Sequence, residues 1–155
     1  EWITEKAVEA GASRIVFFPA ARSVTKLSGD KLTKRLEKLR ATAVSACEQC
    51  GRSRIPEIEA FASAEAMLSG LNADARVILA PSSDPGLALG AARSVVFAVG
   101  PEGGFSEEEL TLADGAGWTR GLLGPRVLRT ETAGLVAIAC ANAVSGDYDI
   151  TGSRA

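Results

Sequence analysis

The sequence predicts an α/β domain built on a mainly parallel sheet with helices on both faces, and three observations carry that prediction. Helical and extended patterns alternate from one end of the chain to the other, as successive βα units require. Three short apolar runs, Arg14-Ile-Val-Phe-Phe18, Arg76-Val-Ile-Leu-Ala80 and Ser94-Val-Val-Phe-Ala-Val99, have the length of buried strands. The third leads straight into Gly100-Pro-Glu-Gly-Gly104, which can continue neither a strand nor a helix. At 155 residues the chain suits one compact domain with a continuous core.

Each element has its own signal. Trp2, Ile3, Ala7, Val8 and Ala10 give an opening helix its apolar face, and Gly11 stops it. The first strand ends at Pro19 and leads into Arg22-Ser23. Leu32, Leu36, Leu39, Ala43, Ala46 and Cys50 recur at helical spacing, with Lys31, Lys34, Arg35, Lys38 and Arg40 mostly on other faces and Gly51 as a stop. After Arg52, Arg54 and Pro56, an alanine-rich helix over about 63–70 precedes the second strand, which Pro81 ends. A further helix must start just past Gly104: Ser106 and Glu109 form a capping box, and Glu107 and Glu108 put negative charge where the helix dipole favours it. Beyond Trp118, Leu122-Leu123 predict a last short strand and residues 124–129 an irregular loop. Thr130 or Thr132 caps a final helix running to about Val144.

Composition excludes several classes. Apolar residues make up 46% of the chain, yet no run approaches the roughly 18 a membrane helix needs, and no basic-then-apolar leader opens it, so a cytoplasmic protein with no membrane partner is expected. It starts at Glu1 inside a helical pattern and reads as part of a longer protein. Cys47, Cys50 and Cys140 are an odd number, expected to be reduced. Cys47 and Cys50 have C-x-x-C spacing, but they end a long helical pattern, and without histidine the chain cannot assemble a four-ligand zinc site from His and Cys, so no metal is expected. The net charge of −2 hides a division: residues 1–54 carry eleven Lys/Arg against six Asp/Glu, and residues 55–155 carry six against thirteen. A basic first third admits a polyanion on one face.

Two loops hold the candidate chemistry, both where a parallel sheet places ligands, beyond the carboxyl ends of strands. In Gly100-Pro-Glu-Gly-Gly104 the glycines let backbone N–H and C=O groups approach a ligand closely, although a plain tight turn looks the same. A triphosphate cradle would want a G-K-[ST] ending, which is missing, and glutamates at 102, 107, 108 and 109 repel phosphate. A cationic sulfonium on a neutral adenosine meets no such objection, which favours S-adenosyl-L-methionine. The second loop, Leu123-Gly-Pro-Arg-Val-Leu-Arg-Thr-Glu-Thr132, packs two arginines, a carboxylate and two hydroxyls into ten residues. The helix after it is nearly all small, with Ala133, Gly134, Ala137, Ala139, Cys140, Ala141 and Ala143, which suits a crowded core, a threaded helix or a dimer partner.

Val99-Gly-Pro-Glu-Gly-Gly-Phe-Ser-Glu-Glu-Glu-Leu110 and Leu123-Gly-Pro-Arg-Val-Leu-Arg-Thr-Glu-Thr-Ala133 resemble the two signature segments of the ribosomal small-subunit methyltransferase E family. Residues 1–11, Arg22-Ser23, Glu48-Gln-Cys-Gly-Arg52 and Arg54-Ile-Pro-Glu57 are similar to it as well, so the resemblance covers nearly the whole chain. It implies a SPOUT-type α/β knot, a deep C-terminal trefoil knot that periodicity could not reveal, working as a homodimer. It implies S-adenosyl-L-methionine as cofactor and N3 of a uridine in small-subunit (16S) ribosomal RNA, within the 30S subunit, as substrate. The cofactor positions it implies are Leu79, Ala80 and Pro81; Gly100, Pro101, Glu102, Gly103 and Gly104; Leu122, Leu123 and Gly124; and Val127, Leu128 and Thr130. Ala80-Pro81 stands where the family usually has His-Pro, so a histidine hydrogen bond is absent there. The family's N-terminal PUA-like RNA-binding domain has no counterpart in the sequence, and poor methylation by this chain alone is expected.

Uridine N3 carries a weakly acidic proton, so transfer needs the anion placed in line with the methyl group. With no histidine as base, Arg129 and Arg22 are expected to hold the base and stabilise its anion, with Glu131 or a water taking the proton; an Arg129–Glu131 ion pair is the structural alternative. Lys31, Lys34, Arg35, Lys38, Arg52 and Arg54 are expected to meet RNA phosphates. Rival readings are a nucleotide-binding hydrolase, a non-catalytic RNA-binding module and a methyltransferase of another RNA position.

Overall fold

A computed structural model describes residues 1–24, 26–81, 86–145, 148, 150 and 152. In chain order the elements are α1 (Trp2–Glu9), β1 (Arg14–Phe17), α2 (Gly29–Cys50), β2 (Glu57–Ala60), α3 (Ala64–Gly70), β3 (Ala75–Leu79), β4 (Val95–Val99), α4 (Glu107–Gly115), β5 (Thr119–Gly121) and α5 (Thr130–Ser145). Every pairing between these strands is parallel, but the single sheet expected from sequence is two ladders among the described residues. One pairs β1 with β2; the other runs β4-β3-β5.

Two cores match the two ladders. Val8, Leu39, Ala43, Ala46, Cys47 and Ile58 bury α1 and α2 against β2. Met67, Leu68, Leu71, Ile78, Ala98, Phe105, Leu110, Ala113 and Trp118 fill the second, where α3 and α4 cover the three-stranded ladder. Trp118 anchors it twice, donating its indole N–H to the Leu68 carbonyl at 2.8 Å and lying 5.9 Å from the Arg76 guanidinium. The C-x-x-C pair belongs to the first core: Cys47 is buried facing it and Cys50 is exposed, both as free thiols.

Helix ends follow their sequence signals. Gly51 closes α2 in the left-handed conformation at φ 79°. At α4, Ser106 Oγ accepts from the Glu109 amide at 3.1 Å, and Glu109 Oε2 accepts from the Ser106 amide at 2.8 Å, completing the expected capping box. One strand expectation needs correction, and one strand was not expected. The last strand is Thr119–Gly121 rather than Leu122-Leu123, because Leu122 turns away to form an antiparallel bridge with Gly86. Strand β2, Glu-Ile-Glu-Ala, had no prediction: only Ile58 enters the core, and Glu57 and Glu59 answer Arg14 on the neighbouring strand. Among the described residues, no helix is long and apolar enough to cross a membrane, and no group of three or more His, Cys, Asp or Glu could hold a metal ion.

Candidate functional site

The carboxyl ends of β1, β3, β4 and β5 feed the loops that carry the candidate residues, so the site grows from strand ends. After β4, Gly100 is buried, and a Cβ there would lie 3.1 Å from the Phe105 ring, so the tight path requires glycine. Gly104 takes φ 72°, and its amide donates to the Pro101 carbonyl at 2.8 Å, folding the loop back before α4 begins.

A second loop reaches this one through Thr130, whose hydroxyl donates to the Gly100 carbonyl at 2.9 Å. Sequence offered Thr130 as a cap for α5; instead its side chain ties the first turn of that helix to the glycine loop. A third segment, the Ala20–Ser23 turn after β1, docks on the other side. Arg22 Nη1 donates to the Gly103 carbonyl at 2.8 Å, and Phe18 stacks on Phe105 with ring centroids 6.3 Å apart. Glu109 Oε1 accepts from the Ala21 amide at 2.7 Å.

Beside the second loop lies a cavity of about 570 Å³. Gly86–Gly90 form one wall, Leu122, Leu123 and Gly124 another, and Val136, Cys140 and Val144 of α5 a third. The wall from Gly86 is held by its backbone exchange with Leu122, at 3.2 and 3.0 Å, and the end of β3 by Ala80 donating to the Gly121 carbonyl at 3.1 Å. The volume is that of a small-molecule site, and the described walls carry no cationic side chain. A triphosphate would find no counter-charge there, whereas an adenosine finds apolar surface and exposed backbone. The residues present therefore fit S-adenosylmethionine better than ATP. A smaller cavity of about 400 Å³, lined by Asp74, Arg76, Gly117 and Thr119, opens at the amino ends of β3 and β5, and Ala88 and Leu89 separate it from the first by lining both.

The structure brings some expected residues together and not others. Leu122, Leu123 and Gly124 line the cavity, while Gly100 is joined to Thr130 beside it; Gly100–Gly104 are not among its wall residues. Leu79 ends β3, half-buried, and Ala80 follows it into the Gly121 contact; Pro81 is exposed. Glu102 and Val127 are also exposed, and Pro101 and Leu128 are half-buried. Arg129 is exposed at the head of α5, and Glu131 lies half-buried in its first turn; no ion pair joins them among the described residues.

On the basic segment Lys31, Lys34 and Arg54 are exposed, and Arg35 and Lys38 each sit 2.9 Å from the Glu1 carboxylate, whose pKa is lowered chiefly by the Lys38 hydrogen bond. Arg52 is a correction. Its Nη1 donates to the Val8 and Ala12 carbonyls, both at 2.8 Å, so the half-buried guanidinium closes the carboxyl end of α1 rather than standing out for phosphate. Sequence reasoning also missed the α5 wall, although Val136, Cys140 and Val144 recur every fourth residue and mark one helix face.

Comparison with known proteins agrees with this arrangement. The chain is 34% identical over 161 residues to ribosomal RNA small subunit methyltransferase E of Mycobacterium tuberculosis, covering 99% of this chain and 62% of that protein. To the protein of the same name from Bacillus subtilis it is 38% identical over 152 residues, covering 89% and 58%. The chain thus spans about three fifths of the length of these relatives. Among solved structures, a Legionella pneumophila protein in complex with the cofactor SAM superposes with a TM-score of 0.84 at 32% identity, covering 92% of this chain and 60% of that one. The ribosomal RNA small subunit methyltransferase E of Neisseria gonorrhoeae, bound to S-adenosyl methionine, does so with a TM-score of 0.79 at 34% identity, covering 92% and 60%. These likenesses identify the α/β architecture as that of SPOUT-class methyltransferases. The model of the RNA methyltransferase domain family matches residues 1–142, from α1 into α5 and through every loop described above, and the chain belongs to that family.

Proposed function

We propose that this chain is the catalytic domain of an enzyme that moves a methyl group from S-adenosylmethionine to N3 of a uridine in small-subunit ribosomal RNA. The observation that carries the reading is the apolar cavity against Leu122–Gly124, with no cationic side chain among its described walls, in a fold shared with two proteins solved with S-adenosylmethionine. When bound, the cofactor supplies an electrophilic methyl group on a sulfonium.

The chain's own residues do the rest. Leu122–Gly124 and the α5 face shelter the adenosine from water, and the Gly100–Gly104 loop offers backbone dipoles to the polar end. Arg22, fixed to the Gly103 carbonyl, and Arg129, exposed at the head of α5, place positive charge where the uridine anion forms. Glu131, or a water it orients, takes the N3 proton. Lys31, Lys34, Arg35, Lys38 and Arg54 meet phosphates; the Glu1 pairs of Arg35 and Lys38 are exposed and exchange for phosphate at little cost.

The same reading makes the protein a homodimer through the small-residue helix α5, places the deep knot between β4 and α5, and puts the enzyme on the 30S subunit in the cytoplasm. Transfer of labelled methyl groups from S-adenosylmethionine to intact small subunits, with the modified base mapped, tests it. A label on uridine N3 is expected; a label on another atom, or none, refutes the substrate assignment.

A further inference from the structure

We propose that Glu109 is a positioning residue, holding the Ala20–Ser23 turn, and with it Arg22, against the Gly100–Gly104 loop. The meaning given to Arg22 rests on the function proposed above.

A capping box needs one carboxylate oxygen, and Glu109 spends Oε2 on it, accepting from the Ser106 amide at 2.8 Å. The other oxygen reaches 88 residues back along the chain to accept from the Ala21 amide at 2.7 Å. One carboxylate therefore joins the start of α4 to the loop after β1. That loop is itself a closed turn: Ser23 Oγ accepts from the Ala20 amide at 2.9 Å, and the Ser23 amide donates to the Ala20 carbonyl at 3.1 Å. Between those bonds stands Arg22, whose guanidinium donates to Gly103 at 2.8 Å. A Cβ on Gly103 would meet the Arg22 side chain at 3.4 Å, so the arginine stem lies along the glycine loop. The Phe18–Phe105 stack sets the spacing of the two segments, and the Glu109–Ala21 bond fixes their registration next to Arg22, whose side chain is exposed.

Glutamine at 109 keeps one acceptor oxygen and turns an N–H group toward whichever amide the other oxygen served, so only one of the two bonds survives. The cap is reciprocal, with the Ser106 hydroxyl also accepting from the Glu109 amide, and it is half-buried, whereas the Ala21 bond is exposed and single, so the long-range bond is the one lost. Ser106→Ala weakens the same cap and leaves the Ala21 bond intact, which separates capping from positioning.

The test compares wild type, E109Q, S106A, R22A and E109Q/R22A in two readouts: residue-resolved amide exchange, and methyl transfer to small subunits. E109Q is expected to speed exchange at Ala21 at least about tenfold, the loss of one charge-assisted hydrogen bond, while S106A leaves that amide protected. E109Q is also expected to lower kcat about tenfold with the KM for S-adenosylmethionine little changed, as befits loss of a positioned charge. S106A should keep wild-type kcat, and the double variant should be no slower than R22A. Equal exchange at Ala21 in E109Q and S106A overturns the proposal; so does a double variant whose loss is the product of the two single losses. A wild-type chain that binds no S-adenosylmethionine, yet shows the exchange change confined to E109Q, upholds the latch and rejects the enzymatic reading instead. If E109Q does not fold, Ala21→Pro removes the donor from the opposite side, and wild-type kcat in that variant overturns the proposal.

Discussion

Replacing Gly121 with alanine places a methyl carbon 2.5 Å from Val77 Cγ1 and 3.3 Å from both the Gly86 carbonyl oxygen and Leu87 Cδ2. Val77 is fully buried on β3, so it cannot swing away, and Gly121 is pinned by its carbonyl, which accepts from Ala80 at 3.1 Å. Strand β5 must move outward, weakening that bond and the Leu122–Gly86 bridge that shapes the cavity wall. Overpacking of this kind costs about 2 kcal/mol, which in a domain of this size lowers Tm by roughly 4–8 °C. The matching control is Gly115→Ala at the end of α4, where a Cβ meets nothing within 4 Å. There alanine should raise Tm by about 2 °C through helix propensity and a less mobile unfolded chain. Thermal unfolding followed by circular dichroism reads both. G121A at or above the wild-type Tm, or V77A and G121A destabilising additively when combined, would refute the packing argument, since trimming Val77 removes the clash.

Three further outcomes are expected. Arg52→Ala should lower stability by about 2 kcal/mol, the worth of two charged hydrogen bonds to the Val8 and Ala12 carbonyls, and leave the salt dependence of RNA binding as in wild type; chemical denaturation and filter binding check the two halves. Asp114 has its pKa lowered from 3.8, chiefly by hydrogen bonds from Arg120. Its stabilising effect is thus present above pH 3.8 and lost as pH falls through the lowered value, and wild type and D114N should show converging Tm values only in that acid range. Arg129→Ala should abolish methyl transfer and spare S-adenosylmethionine binding; retained turnover removes this arginine from the mechanism.

Local features were legible in the sequence, and long-range ones were not. Strands β3 and β4 could be read because both faces are covered, leaving continuous apolar runs. The α4 capping box could be read because its partners lie three residues apart. Strand β2 escaped because alternate residues are glutamates paired with Arg14, and β5 because Thr-Arg-Gly has no apolar run; its burial comes from Gly121 pressed on Val77. Arg52 looked like any surface cation, since only folding brings it to carbonyls 44 and 40 residues upstream. The resemblance pointed to the loops, but it did not show that Thr130, Arg22 and Glu109 tie three of them into one unit.

If the cavity beside Leu122–Gly124 takes S-adenosylmethionine, calorimetric titration of the chain with that cofactor, and separately with ATP, will show it. Saturable binding of S-adenosylmethionine with no heat from ATP is the expected result. No binding of S-adenosylmethionine at saturating concentration, or equal binding of ATP, would contradict it.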